Sequence, residues 1–212
     1  MIFRTFIMMF LLVAFVPLQA GAVEKLTYAD DSEILDQAHV RGFIWGLPSE
    51  IIKEEEKSIF VEKDDDTLFY VDQIRGIRSS INYEFDNDKL FRVRIFSEKK
   101  YTVPQNRFED LVKIKRDLVK RFGEPLTENF EWKDEQSKKY PKEWGWAVYR
   151  GQLIVTIQWK DAETDVTLYL GANEPANPVL FVTYEDAKAK KKKIQQRNDK
   201  ALNVLRLSLI HI

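Results

Sequence analysis

Two periods of apolar residues run along this chain, in separate stretches. Between residues 107 and 122, Phe108, Leu111, Val112, Leu118, Val119 and Phe122 recur at three- and four-residue spacing, with only Lys115 interrupting the stripe. That period is helical, and the Lys115 stem can lie along the stripe with its amine in water. Asn106 stands at the N-cap position with Glu109 three residues on, and Gly123 and Pro125 supply the stop. The spacing predicts an amphipathic helix over 107–122.

The second period is two. Ile77, Ser79, Ile81, Tyr83 and Phe85 alternate with Arg78, Ser80, Asn82 and Glu84, and after Asp86-Asn87-Asp88 the run Leu90–Ser97 returns with Phe91, Val93 and Ile95 opposite Arg92 and Arg94. This is a hairpin of half-buried antiparallel strands. Ser58–Glu62 and Thr67–Ile74 flank a Lys63–Asp66 turn in the same way. Further on, Phe130 and Trp132 mark a short strand. Trp144, Trp146 and Val148 alternate with Gly145, Ala147 and Tyr149; Leu153 to Trp159 and Val166 to Leu170 repeat the pattern. Val179–Thr183 reads as one more short strand. Ser49 can cap a short helix over Glu50–Glu56, another short helix is expected near Asp31–His39, and Tyr184–Arg206 reads as a charged helix with a weak apolar stripe.

The expected fold class is therefore α+β: an antiparallel sheet or sheets with two main helices packed on one face, plus a charged C-terminal helix. Two α-β-β-β stretches, 49–98 and 106–171, suggest an internal repeat.

The ends change the picture. Arg4, the apolar run Phe6–Val16, Pro17 and Ala20-Gly21-Ala22 form a secretory signal peptide over 1–22, with Val23 as the new N-terminus. Its apolar run is too short to cross a hydrocarbon layer of about 30 Å. The expected location is periplasmic or secreted. At the other end, Leu207–Ile212 reads like a translated sequencing-adapter end, so the α+β domain is taken as 23–183, the tail helix as 184–206, and the natural chain is expected to continue past Arg206.

The chain has no cysteine, which removes disulfides, thiolate metal sites, a cysteine nucleophile and a lipid-anchoring thiol. The net charge of −1 hides an asymmetry: residues 185–206 carry eight basic side chains against three acidic ones, so the body is acidic. Nucleic acid is not an expected partner for an exported chain. The Lys-rich tail could touch an anionic membrane surface peripherally, or simply be solvated.

Several packing motifs carry a resemblance. Phe43-x-Trp45-Gly46, Ile81-x-Tyr83-x-Phe85 with Lys89-Leu90, Phe108-x-x-Leu111 through Leu118-x-x-x-Phe122-Gly123-x-Pro125, and Trp146 before its hairpin resemble a loose group of small exported bacterial proteins. Their arrangement is similar to β-lactamase-inhibitor-protein-like and outer-membrane-assembly-lipoprotein folds. The resemblance spans about residues 42–171 and implies helices packed on an antiparallel sheet. It transfers no catalytic residue, and the missing cysteine departs from the lipoprotein members.

Candidate chemistry is sparse. His39 and His211 are the only histidines, and no Gly-x-Ser-x-Gly elbow accompanies them. Asp64-Asp65-Asp66 and Asp86-Asn87-Asp88 offer oxygens to a Ca²⁺ ion, but these residues are also what turns select. Glu54–Glu56 reads as a solvated helical face. Trp144, Trp146 and Trp159 share the core side of their runs. No catalytic, cofactor-binding or metal-binding residue is singled out, and no cofactor is expected. The residues left for a partner are Arg78, Arg92 and Arg94 on the polar side of the first sheet, with Tyr149 on the outward side of the second. The leading expectation is a non-enzymatic binding or assembly module of the bacterial cell envelope, meeting an envelope protein or an anionic component. The alternative is an envelope hydrolase or carbohydrate-binding protein using carboxylates and tryptophans.

Overall fold

The computed structural model describes residues 40–172 and 174–210. The signal-peptide assignment, the expected helix at 31–39 with His39, and His211 lie outside these residues. The chain is α+β; the described residues form four α-helices and eight strands in one antiparallel sheet. The elements run α1 (Ser49–Glu55), β1 (Ile59–Asp64), β2 (Thr67–Ile74), β3 (Ile77–Phe85), β4 (Leu90–Ser97), α2 (Gln105–Phe122), β5 (Thr127–Trp132), α3 (Trp144–Tyr149), β6 (Leu153–Lys160), β7 (Thr164–Ala172), β8 (Pro178–Asp186) and α4 (Ala187–Ile210).

The strand order is β1-β2-β3-β4-β8-β7-β6-β5. Each half is a four-stranded meander preceded by a helix, and the halves meet where β4 pairs with β8. The element order thus recurs as a helix and four strands rather than the expected three: β1–β4 all fall within 49–98, and β8 completes the second half. Val179–Thr183, expected as a short strand, is the middle of a nine-residue central strand that begins at Pro178, a first-residue position that needs no ladder donor. The tail helix accordingly starts at Ala187 rather than Tyr184.

Alternation sorts the sheet into two sides. Ile81, Tyr83, Val93, Val155, Ile157, Trp159, Leu168 and Leu180 are buried, and α1 and α2 add Ile52, Phe108, Leu111 and Leu118 to the same cluster. Trp159 donates from Nε1 to the Gly123 carbonyl at the end of α2 (3.0 Å), which ties that helix to β6. Gly123 has φ +77° and its amide closes on the Val119 carbonyl, the expected glycine stop.

Three local expectations are corrected. Pro104, not Asn106, occupies the N-cap of α2, which begins at Gln105 with no side-chain cap. Val112 of the expected stripe is exposed. Ser49 does not cap α1 but opens it, and its amide donates to Asp88 of the β3–β4 turn (2.9 Å). The turn carboxylate thereby serves the positive end of a helix 39 residues away.

The largest correction is Trp144–Tyr149, expected as a strand and found as a helix. Six alternating residues fit either period. The helix wins because Gly145 and Val148, three apart, face inward together with Ala147, whereas Trp146 turns to solvent. Trp144 is held among Phe108, Phe130 and Trp132, with ring centroids 5.5–5.6 Å away.

Candidate functional site

The strand register places Arg78, Ser80, Asn82, Glu84, Arg92, Arg94, Phe96, Phe181, Thr183, Glu185, Thr167 and Tyr169 on the side of the sheet opposite the buried cluster. The three arginines therefore share one surface, as their alternation implied. Tyr149 does not join them. It sits in α3 beside a cleft formed with Tyr101, Pro104, Arg107 and Pro178, and packs edge-on against Trp146 at 5.9 Å.

The arginines are not unpaired charges awaiting an anion. Arg92 donates to Glu185 (2.6 Å) and Glu84 (2.9 Å), Arg94 also donates to Glu84, and Arg78 pairs with Glu98 at 2.9 Å. A ladder of alternating sign crosses the sheet from Glu84 through Arg92 to Glu185. Glu185 lies directly opposite Asp165 in the register. Like charges facing each other across strands repel. Lys190 from the first turn of α4 bridges them, at 2.9 Å from Asp165 and 3.4 Å from Glu185. Burial alone would lower the pKa of both Arg92 and Lys190. The hydrogen bonds and charges of their carboxylate partners outweigh it and raise both.

Beside the ladder lies a feature that the sequence reading missed. Phe96 of β4 is the register partner of Phe181 on β8, which is in turn the partner of Tyr169 on β7. Their rings form a row across the two central strands and β7: Phe96 to Phe181 at 5.3 Å, Phe181 stacked on Tyr169 at 4.9 Å and 22°. The Arg94 guanidinium lies 5.8 Å from the Phe96 ring. Gly171 makes the row possible. A Cβ there would stand 2.4 Å from the Tyr169 hydroxyl, so only glycine lets the tyrosine ring lie along the strand. The three rings are half-buried against each other, with no helix residue of the core cluster on their side.

The other candidates are occupied in packing. Trp159 is buried, Trp132 and Trp144 are half-buried against one another, and Trp45 donates from Nε1 to Thr164 at 3.1 Å; Trp146 alone of the five tryptophans is exposed. Glu56 lies in a polar knot with Arg41, Tyr83, Ser58 and Asp72. Arg41 donates to Glu56 (3.2 Å), Asp72 (2.9 Å) and Ser58 (2.9 Å), and the Tyr83 hydroxyl donates to Glu56. Burial would raise the Glu56 pKa, but the Arg41, Tyr83 and Ser58 hydrogen bonds outweigh it and hold it below the ordinary value. This knot fastens the segment before α1 to β2 and β3.

Among the described residues no group of three acidic or imidazole side chains is arranged to hold a metal ion, and no helix is long and apolar enough to cross a membrane. The fold and surface define a class, an α+β protein with one eight-stranded antiparallel sheet and an aromatic row at its centre. No protein-family model matches the chain, and neither the curated proteins nor the solved structures give a match.

Proposed function

We propose that this chain is an exported, non-enzymatic binding module of the bacterial cell envelope, and that its partner is an envelope protein docking on the ring-bearing side of the sheet. In this reading α1 and α2 form the layer on the opposite side, and the charged tail helix leaves from one end. The single observation that carries it is the row Phe96, Phe181 and Tyr169, lying across central strands on the side away from the buried cluster. Aromatic residues are enriched, and paired charges tolerated, at the centres and rims of protein interfaces. Because Arg78, Arg92 and Arg94 are each matched by a glutamate, recognition rests on the rings and shape rather than on a surplus of positive charge.

The test uses a photo-crosslinking residue in place of Thr183, next to the row, in cells making the exported chain. A discrete crosslinked protein is expected, and it should disappear when Phe181→Ser is added in a chain that circular dichroism shows to be still folded at the assay temperature. Absence of any crosslinked partner, or a partner unaffected by Phe181→Ser, would overturn the proposal.

A further inference from the structure

Behind the sheet, between α2 and strands β3, β4 and β8, lies an apolar cavity of about 310 Å³. Its origin is local. Ser79 and Ser97 are register partners on adjacent strands, two small side chains on a face otherwise built of large aliphatic and aromatic residues. The space they leave is walled by Ile74, Ile95, Ile114, Leu118, Leu180 and Val182, with Tyr184 and Arg121 also lining it. The Ser79 hydroxyl donates to the Ile77 carbonyl at 3.1 Å. The Ser97 hydroxyl is buried and has no hydrogen-bond partner. That oxygen is closed off from the space beside it, so Ser97 shapes the pocket through its small size rather than as a hydrogen-bond donor to an occupant.

The cleft adjoining this pocket has the opposite character. Arg75, Ile77, Ile114 and Asp117 line both the cavity and an outer cleft of about 330 Å³. That cleft adds Lys99, Lys113, Arg116 and Lys120, so with Arg75 five cationic side chains surround it against Asp110 and Asp117. Arg75 is joined to Asp117 at 2.7 Å, and Lys113 to Asp110 at 3.6 Å. The Arg75–Asp117 pair, which lines both compartments, links the β2–β3 turn to α2. Ser97 lies toward this end, since its partner Ser79 is two residues from Ile77.

We propose that the two compartments form one binding site for a single-chain amphiphile, an acyl tail with an anionic head. The tail fills the apolar cavity toward Tyr184. The head lies in the cationic cleft, where Arg116 and Lys120 on successive exposed positions of α2 face it. Apolar walls with few convergent polar groups are the usual composition of a small-ligand pocket, and the excess of positive charge selects the head.

The test is displacement of a dansyl-labelled undecanoic acid from the chain beginning at Val23. Dodecanoate and lauroyl-lysophosphatidylglycerol are the two anionic arms, and dodecyltrimethylammonium is the cationic control. Saturable binding of one anionic ligand per chain is expected, with the cationic amphiphile about tenfold weaker or more. The stronger of the two anionic arms assigns a carboxylate or a phosphate head. Ser97→Leu, which fills the cavity, should abolish binding. Arg116→Glu with Lys120→Glu, both on the surface of α2, should weaken dodecanoate by about tenfold while leaving dodecanol unchanged. These surface variants keep the proposal testable should Ser97→Leu fail to fold. No saturable binding, equal binding of the cationic control, or dodecanoate binding indifferent to the α2 charge reversals would overturn it.

Discussion

Replacing Gly145 by alanine sets two physical effects against each other with opposite signs. Gly145 is the second residue of α3, and a glycine in a helix costs about 1 kcal/mol relative to alanine, so propensity alone predicts a gain. Packing predicts a loss. A Cβ at this position would stand 2.4 Å from Gln105 Cα and 2.6 Å from both Gln105 N and the Pro104 carbonyl oxygen, all of them backbone atoms at the start of α2. Carbon contacts essentially never fall under 3.0 Å, so α3 must withdraw by at least 0.6 Å. Withdrawal lengthens the Gly145 amide bond to Gln105 Oε1, now 2.9 Å, and loosens Trp144 from its three aromatic neighbours. Overpacking of this kind costs about 1–3 kcal/mol, and the hydrogen bond adds about 1 kcal/mol. The net expectation is a loss of about 1–3 kcal/mol, or a fall of roughly 2–12 °C in melting temperature for a domain of this size. Urea unfolding followed by tryptophan fluorescence measures it. A midpoint equal to or above that of the parent chain would refute the close approach of α3 to α2, and with it the helical assignment of Trp144–Tyr149.

Two further outcomes follow from the charged groups. Arg92→Met leaves Glu84 and Glu185 without their shared cation; because the group is about 29% exposed, the cost is expected near 1–3 kcal/mol. Adding Glu84→Gln should recover part of it, and a double-mutant cycle that shows no coupling would refute the ladder as a unit. The second concerns acid. Glu56 is held below its ordinary value of 4.5, where burial is outweighed by Arg41, Tyr83 and Ser58, and Asp72 is held below 3.8 chiefly by its Arg41 hydrogen bond. A carboxylate with a depressed folded-state pKa stabilises above its unfolded value and loses that contribution as pH falls through the folded one. The unfolding midpoint should therefore be insensitive to these groups at neutral pH and fall with acidification below pH 4.5, less steeply in Glu56→Gln. Parallel acid profiles for the two proteins would refute the account of this knot.

The parts of the fold that were legible from the chain are those whose signal is local and long. The apolar stripe from Phe108 to Phe122 behind α2 and the strict alternation of β3, β4, β6 and β7 are repeated often enough that one period wins. The alternation also placed Arg78, Arg92 and Arg94 on one surface. Two kinds of information were not legible. Short runs such as Trp144–Tyr149 satisfy both periods, and the choice is made by a neighbour: α2 offers a backbone surface that only a glycine-bearing helix can approach. Long-range register is the other. Phe96 and Phe181 are 85 residues apart and meet only because β4 pairs with β8. Nothing in either strand alone announces that pairing, so the aromatic row, the Arg92–Glu185 rung and the Lys190 bridge were all invisible. The Ser79–Ser97 gap that opens the inner cavity depends on register in the same way.

The seam between the halves explains why the aromatic row is the place to expect a partner. β4 and β8 close different halves of the fold, and along the sheet they alone join the two meanders. On the buried side the seam is closed by Val93 against Tyr184 and Ile95 against Val182. On the other side the neighbouring positions are threonine, asparagine, serine and paired charge, residues that a solvated sheet face uses without difficulty. Three adjoining rings in that setting give up apolar contact to water that smaller polar side chains would not. The rings stabilise the seam through their mutual contacts, but a covering surface would add the contact they lack, and would do so across both halves at once. A partner present at a hundred times its dissociation constant would add about 2.7 kcal/mol to the stability of the native sheet. Under the proposed docking, binding at the row and cohesion of the two meanders are linked: a substitution that loosens the seam from the buried side, such as Val182→Ala, should weaken partner capture although it touches no exposed atom. Capture unchanged in a Val182→Ala chain whose unfolding midpoint has fallen would show that the partner holds only one half.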